Sequence, residues 1–359
     1  MAGRTGKLLR PGSGRQSIVF ENFFGNSDTV TTLAQMMERE RIPQTILLSG
    51  PEGVGKATLA RRFASAVLGG ESKVERDDLS LAANIAIIAD REKWASDKRV
   101  DDPLVFASHP DFLTFPPDGP LRQISIQQMR LLKERAQFKP LSGRRRVFLI
   151  DRIDRANEQA ANSLLKTLEE PPDHLIIIMT AENNYDLLPT IRSRAVPLQM
   201  RRLDKDEMRQ FALARELKDL ERRLALAAGC PGMALSINLE LYDKRRATML
   251  TLLQVAAKLA PFARWAKLSE SLNASKSEKL EFYLHILYIL LEDLLMIQQN
   301  AGEIRNTDIR QDLASVAAVI SFEWIRTAVK KVDELMDLLR RNIQKGLALD
   351  SLVLELQDR

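Results

Sequence analysis

The chain has 359 residues, with 53 Lys and Arg against 48 Asp and Glu, for a formal net charge of +5. That length suffices for two or three domains, and 45% hydrophobic with 28% charged residues are the proportions of an ordinary globular protein. The charge excess is too mild to announce nucleic acid as a ligand. The single cysteine, Cys230, excludes an intrachain disulfide and a four-thiolate zinc site and fits a reducing cytoplasm; no run approaches the roughly 20 apolar residues of a membrane span.

Residues 1–17 are basic and glycine-rich, without the apolar stretch of a secretory signal. They are expected to form a disordered tail, with an electrostatic arm for DNA as the sharper alternative. From 18 to 200 short apolar strands alternate with amphipathic helices. Strands are predicted at Thr45–Ser49, Leu113–Phe115, Val147–Asp151, Leu175–Thr180 and Val196–Met200, and three of them are nearly continuous apolar runs, as in a parallel sheet covered on both faces. Helices are predicted at Lys56–Leu68, Ser125–Gln137 and Glu158–Glu169, the last stopped by Pro171 and Pro172. This order predicts an α/β doubly wound domain. The segment 69–108 is an insertion, charged and partly helical, without a chemical motif.

Beyond Met200 no strands are predicted. Asp204–Gly229 reads as two short helices, with Gly229, Pro231 and Gly232 as a turn. A small helical lid is expected at 201–242 and an all-α bundle at 243–359, where Tyr283–Ile297 is strongly apolar and Val332, Leu335, Met336, Leu339 and Ile343 recur at helical spacing. Helix–helix packing explains both patterns.

Gly50-Pro51-Glu52-Gly53-Val54-Gly55-Lys56-Ala57 follows a strand and opens a helix, the context in which backbone N–H groups cradle phosphates. Gly50, Gly55 and Lys56 match the phosphate-loop pattern, but Ala57 stands where a hydroxyl normally binds magnesium. Thr58 is no substitute, because one step along a helix turns the side chain by about 100°. Asp151 ends an apolar strand and is positioned to face a magnesium ion, yet Arg152 follows where an ATPase of this kind carries a water-orienting glutamate. A guanidinium cannot accept a proton at neutral pH. Asp154 is a poor stand-in and reads as a turn or helix-cap carboxylate. Gly232 falls where many such ATPases place an arginine that senses the γ-phosphate. Three losses together argue against hydrolysis at this chain's own site, while Gly50, Gly53, Gly55, Lys56 and Asp151 leave binding of ATP or ADP open.

The segments Asn162-Ser163-Leu164-Leu165-Lys166-Thr167-Leu168-Glu169-Glu170-Pro171-Pro172 and Leu187-Leu188-Pro189-Thr190-Ile191-Arg192-Ser193-Arg194 closely resemble the clamp-loader branch of AAA+ proteins. With the disabled phosphate loop, the similarity is to its delta-prime family of bacterial DNA polymerase III subunits. Phe20-Glu21-Asn22-Phe23-Phe24-Gly25, His109-Pro110-Asp111 and Arg341-Asn342-Ile343-Gln344 support it, and the resemblance covers most of 18–359.

The resemblance implies a RecA-like domain and a helical lid hung from a collar that assembles five subunits of gamma/tau and delta type. That complex loads the sliding clamp on primer–template DNA as part of a DNA-directed DNA polymerase holoenzyme. It also implies that Arg194, with Ser193, acts in trans on ATP bound by a neighbour. The family's Ser-Arg-Cys motif reads Ser193-Arg194-Ala195 here. Taken as pattern alone Arg194 is a surface arginine, and Arg192 competes for the role. Many family members carry a four-cysteine zinc module that 69–108 replaces, so no zinc is expected. An active AAA+ ATPase of gamma/tau or small replication-factor type is the rival reading. Glu169 and Glu170 oppose their helix macrodipole, which is either screened by solvent or answered by a partner subunit's basic group. Arg144-Arg145-Arg146 reads as a solvated turn, with a DNA-backbone contact as the alternative.

Overall fold

The computed structural model describes residues 20, 22–274, 279–338 and 344–357. The expected N-terminal tail, Leu339, and Arg341-Asn342-Ile343 lie outside the described residues. Two compact units are formed: 1–216 with 229–232, and 217–228 with 233–359.

The first unit is built on six strands: β1 (Thr45–Ser49), β2 (Phe106–His109), β3 (Phe112–Phe115), β4 (Arg146–Ile150), β5 (Leu175–Ala181) and β6 (Val196–Gln199). They lie in the order β2-β3-β4-β5-β1-β6. All pairings are parallel except β2 with β3. Every residue of β1, β3, β4 and β5 is buried, which is why their sequences read as apolar runs and not as alternations. The helices of this unit are α1 (Ser27–Glu38), α2 (Lys56–Leu68), α3 (Glu71–Val74), α4 (Ala82–Arg91), α5 (Ser96–Asp101), α6 (Ile126–Ala136), α7 (Glu158–Glu169), α8 (Pro189–Arg192) and α9 (Lys205–Ala214). Helix α6 starts at a capping box in which Ser125 and Gln128 exchange side-chain and backbone hydrogen bonds. Ala160, Ala161, Leu164 and Leu168 of α7 pack with Phe148, Ile150, Ile177 and Met179 in one core. This is the expected α/β architecture with a RecA-like parallel sheet.

Two expectations need correction. The 69–108 segment contributes a strand to the sheet, β2, besides three short helices. Its sequence does not show a strand because only its two end residues, Phe106 and His109, are buried, leaving neither an apolar run nor an alternation. The turn expected at Gly229, Pro231 and Gly232 is shorter: Pro231 begins helix α11 (Pro231–Ser236). Proline suits a first helical position because its missing N–H would be unpaired there anyway.

The second unit is helical: α10 (Leu220–Ala227), most of α11, α12 (Leu239–Ala256), α13 (Phe262–Ala274), α14 (Leu280–Gln299), α15 (Arg310–Ala317), α16 (Phe322–Leu338) and α17 (Lys345–Gln357). Helix α9 of the expected lid belongs to the first unit and α10 to the second, and α12 runs through the 242/243 position. Leu252, Trp265, Leu287, Leu290, Val332 and Val353 share its core. A buried polar network pins the loop after α14. Asp293 accepts the backbone N–H of Arg305 at 2.7 Å and of Asn306 at 3.0 Å. Asn306 Oδ1 accepts from the Tyr242 hydroxyl at 2.9 Å and from Arg246 at 3.0 Å, and Arg246 makes two 2.6 Å bonds to Asp308. Among the described residues no helix is long and apolar enough to cross a membrane.

Candidate functional site: the phosphate loop and the arginine turn

The loop after β1 needs its glycines for space as well as for backbone angles. Gly50 has φ +150°, and a Cβ there would lie 2.3 Å from the carbonyl oxygen of Met200. Gly53 and Gly55 also have positive φ, and Gly55 precedes the first residue of α2, Lys56. The Lys56 ammonium is buried and folds onto the loop itself, donating to Gly50 O at 2.5 Å and Pro51 O at 2.8 Å. Burial lowers its pKa from the ordinary lysine value.

Asp151 lies one residue past the end of β4, where its Oδ1 accepts the Thr180 hydroxyl at 2.6 Å. That hydroxyl oxygen in turn accepts the backbone N–H of Arg152 at 2.8 Å. Arg152 adopts the left-handed conformation, φ 60° and ψ 58°, a strained state for a residue with a Cβ. Its guanidinium spans the loop mouth, bonded to Glu52 at 3.1 Å and to Glu182. Burial alone would lower the Arg152 pKa, but the two carboxylates outweigh it and the net shift is upward. Asp154 lies in a 3-10 turn, Ile153–Arg155, with Oδ1 buried and unpaired, and burial raises its pKa. Gly232 rests against the same loop, its N–H donating to Gly53 O at 2.7 Å.

A loop of this kind implies a magnesium–nucleotide. Magnesium is held by oxygen donors in a strict octahedron. Here Ala57 offers no hydroxyl, Asp151 Oδ1 is engaged by Thr180, and a fixed guanidinium follows. This donor set does not fit the ion.

Arg194 and Ser193 follow the short helix α8 on the connection from β5 to β6, held by the buried Ile191. Ser193 Oγ donates to Thr190 O at 3.2 Å and accepts from Arg194 Nη1, also at 3.2 Å. Arg194 Nη1 donates to Thr190 O at 2.8 Å and Nη2 to Glu169 Oε1 at 2.5 Å. The partner of the misplaced acid Glu169 is therefore a basic group on its own chain. Arg192 takes another direction, its guanidinium 5.2 Å from the Tyr185 ring centre. Ala195 packs against the core below.

The arginine run divides into three environments. Arg144 is exposed, Arg145 donates to Asp173 O at 2.5 Å, and Arg146 is buried. The Arg146 guanidinium donates to Arg135 O at 2.5 Å and faces Asp111 at 3.6 Å, so neither the solvated turn nor the DNA contact describes it. Asp111 also accepts the backbone N–H groups of Leu141 at 2.8 Å and Ser142 at 2.7 Å.

The sequence reading missed Glu52, Glu182 and Thr180 at the loop mouth. Strand order carries the signal: β4 and β5 are parallel neighbours with Ile150 opposite Met179, which brings Arg152 beside the residues that end β5.

A sheet parallel but for its edge strand β2, with a phosphate loop between β1 and α2, defines a RecA-like P-loop domain of AAA+ type, here joined to a helical unit. Residues 25–204 match the family described as DNA polymerase III, delta subunit, and 240–358 match its C-terminal family. The chain belongs to the DNA polymerase III delta subunit family. It is 26% identical over 190 residues to the DNA polymerase III subunit tau of Escherichia coli K12, covering 53% of this chain and 26% of that protein. It is 30% identical over 203 residues to the DNA polymerase III subunit delta' of Pseudomonas aeruginosa, covering 55% of this chain and 56% of that one. The chain thus spans about a quarter of the tau subunit and just over half of the delta' subunit. Among solved structures, a gamma subunit-related protein of Thermotoga maritima aligns with TM-score 0.44 and 18% identity over 91% of this chain and 99% of that one.

Proposed function

We propose that this chain is a clamp-loader subunit of the delta-prime type, without nucleotide hydrolysis of its own, that supplies Arg194 to ATP on a neighbouring gamma/tau subunit. One observation carries the reading: the position after Asp151 holds a guanidinium fixed by Glu52 and Glu182, where hydrolysis needs a proton acceptor. A second guanidinium, Arg194, stands partly exposed on a turn braced by Ile191. An arginine offered in trans neutralises charge developing on the transferred phosphoryl group and contributes roughly 10³–10⁵ in rate.

In this reading the second unit is the collar of a hetero-pentamer with gamma/tau and delta-type subunits, and the assembly places the sliding clamp on primed DNA. The chain needs no zinc or magnesium of its own. Any ATP or ADP at Lys56 and the loop glycines is a static ligand. The test is paired. The isolated chain is expected to show no ATP turnover, and Arg194→Ala is expected to slow the reconstituted loader, by up to about 10³ at the adjacent site, with the chain still incorporated. Turnover by the isolated chain overturns the first half, and an unaffected loader the second.

The rival reading, an active gamma/tau-type ATPase, draws on the relatives named tau and gamma. Ala57, Arg152 and Gly232 stand against it. Calorimetric titration with ATP, with and without magnesium, separates the two: an active site requires magnesium-dependent binding.

A further inference from the structure

Glu169 is the last residue of α7, where a carboxylate opposes the helix macrodipole. Lys166 in the same turn suits the dipole, and Glu169 does not. Its bond to Arg194 leaves both side chains partly exposed, 49% and 31%, and such pairs add little to stability. Stability therefore does not account for an acid at this position.

Its effect on Arg194 does. An arginine side chain has among the largest rotamer freedoms to lose on ordering. Here three acceptors from two elements fix the guanidinium: Glu169 Oε1 on α7 takes one Nη2 hydrogen, while Thr190 O and Ser193 Oγ at α8 take those of Nη1. Among the described residues the Nε–H and the second Nη2 hydrogen have no partner. The guanidinium is thus held in place with donors left over.

We propose that Glu169 is a positioning residue. It holds Arg194 ordered before assembly, so that the remaining donors meet the polyphosphate of a nucleotide bound on the adjoining subunit. The proposal rests on the reading of Arg194 as an arginine acting in trans. Glu169 touches no phosphate itself and acts only through Arg194.

The test uses the full chain assembled with its ATP-hydrolysing partner subunits and primed DNA. Steady-state ATPase is measured for Glu169→Ala, Glu169→Gln, Arg194→Ala and the Glu169→Ala/Arg194→Ala double variant, each first shown to assemble. Glu169→Ala is expected to lower kcat by about 2- to 10-fold with KM unchanged, the factor for freeing one rotamer-rich side chain. Glu169→Gln, whose amide oxygen still accepts from Nη2, is expected to recover most of that loss. In the Arg194→Ala background, Glu169→Ala is expected to have no further effect. An unchanged or raised kcat for Glu169→Ala overturns the proposal, the raised rate meaning that Glu169 sequesters Arg194 and does not position it. An equal loss in the Arg194→Ala background also overturns it. If Arg194→Ala itself leaves the rate unchanged, the reading beneath the proposal falls and takes the proposal with it. A slowed Arg194→Ala beside an unaffected Glu169→Ala removes the proposal alone.

Discussion

Gly232→Ala sets two opposed effects against each other. Gly232 is the second residue of α11, and replacing a helical glycine by alanine ordinarily stabilises by about 0.5–1 kcal/mol. Here the new methyl would stand 3.0 Å from the carbonyl oxygen and 3.1 Å from the Cα of Gly53, both backbone atoms of the phosphate loop. It would also press on the 2.7 Å hydrogen bond between the Gly232 N–H and Gly53 O. A methyl forced into a packed contact costs about 1–3 kcal/mol, so the net spans about 0–2.5 kcal/mol of loss, and because the contacted atoms are backbone a measurable loss is expected. Gly143→Ala is the control, since a Cβ there meets nothing within 4 Å; it is expected to be neutral or slightly stabilising. The chain has two compact units, so the readout must belong to the first: amide exchange of β1 and β5 through a urea series, where Gly232→Ala should lower the midpoint of protection. A Gly232→Ala chain as stable as the native one, with Gly143→Ala behaving as stated, would refute the reasoning. It would mean that the close approach of Gly232 to Gly53 does not require a glycine.

Two further outcomes are expected. Asp111→Ala should destabilise the first unit by about 3–5 kcal/mol, the cost of leaving a buried charge unpaired, because Arg146 loses the one carboxylate it faces among the described residues and two loop N–H groups lose their acceptor; amide exchange in β4 reads it, and a loss below about 1 kcal/mol would mean that the carbonyls of Arg135, Phe138 and Pro110 satisfy the guanidinium without Asp111. Burial pushes the Tyr242 pKa from 10.0 up to about 12, so the unfolded chain ionises first as pH rises. Stability should fall between those two values, by on the order of 3 kcal/mol in all, and Tyr242→Phe should abolish that alkaline decline; a decline that persists in Tyr242→Phe assigns it to another group.

The sequence by itself determined what local pattern can carry. The apolar runs of β1, β4 and β5 are legible because both sides of a covered parallel sheet demand hydrophobic residues at every position. The phosphate loop is legible because glycine spacing, a preceding strand and a following helix are all adjacent in the chain. Ala57, Arg152 and Gly232 are visible as departures for the same reason. Strand β2 was not legible, since four residues buried only at their ends carry no period.

Only the tertiary structure decided which charges meet. Arg152 is 100 residues from Glu52 and 30 from Glu182, and the three converge because β1, β4 and β5 lie side by side and end together. Glu169 and Arg194 are 25 residues apart, and they join because α7 and the β5–β6 connection return to one place. The arginine run looks uniform as sequence, but β4 begins at Arg146, which faces the buried Asp111 carboxylate, while Arg144 precedes the strand and stays outside. Hydrophobic periodicity is a one-dimensional signal, whereas an ion pair depends on strand order and register. That is why the elements could be read along the chain, while the state of the loop mouth and of the arginine turn had to wait for the fold.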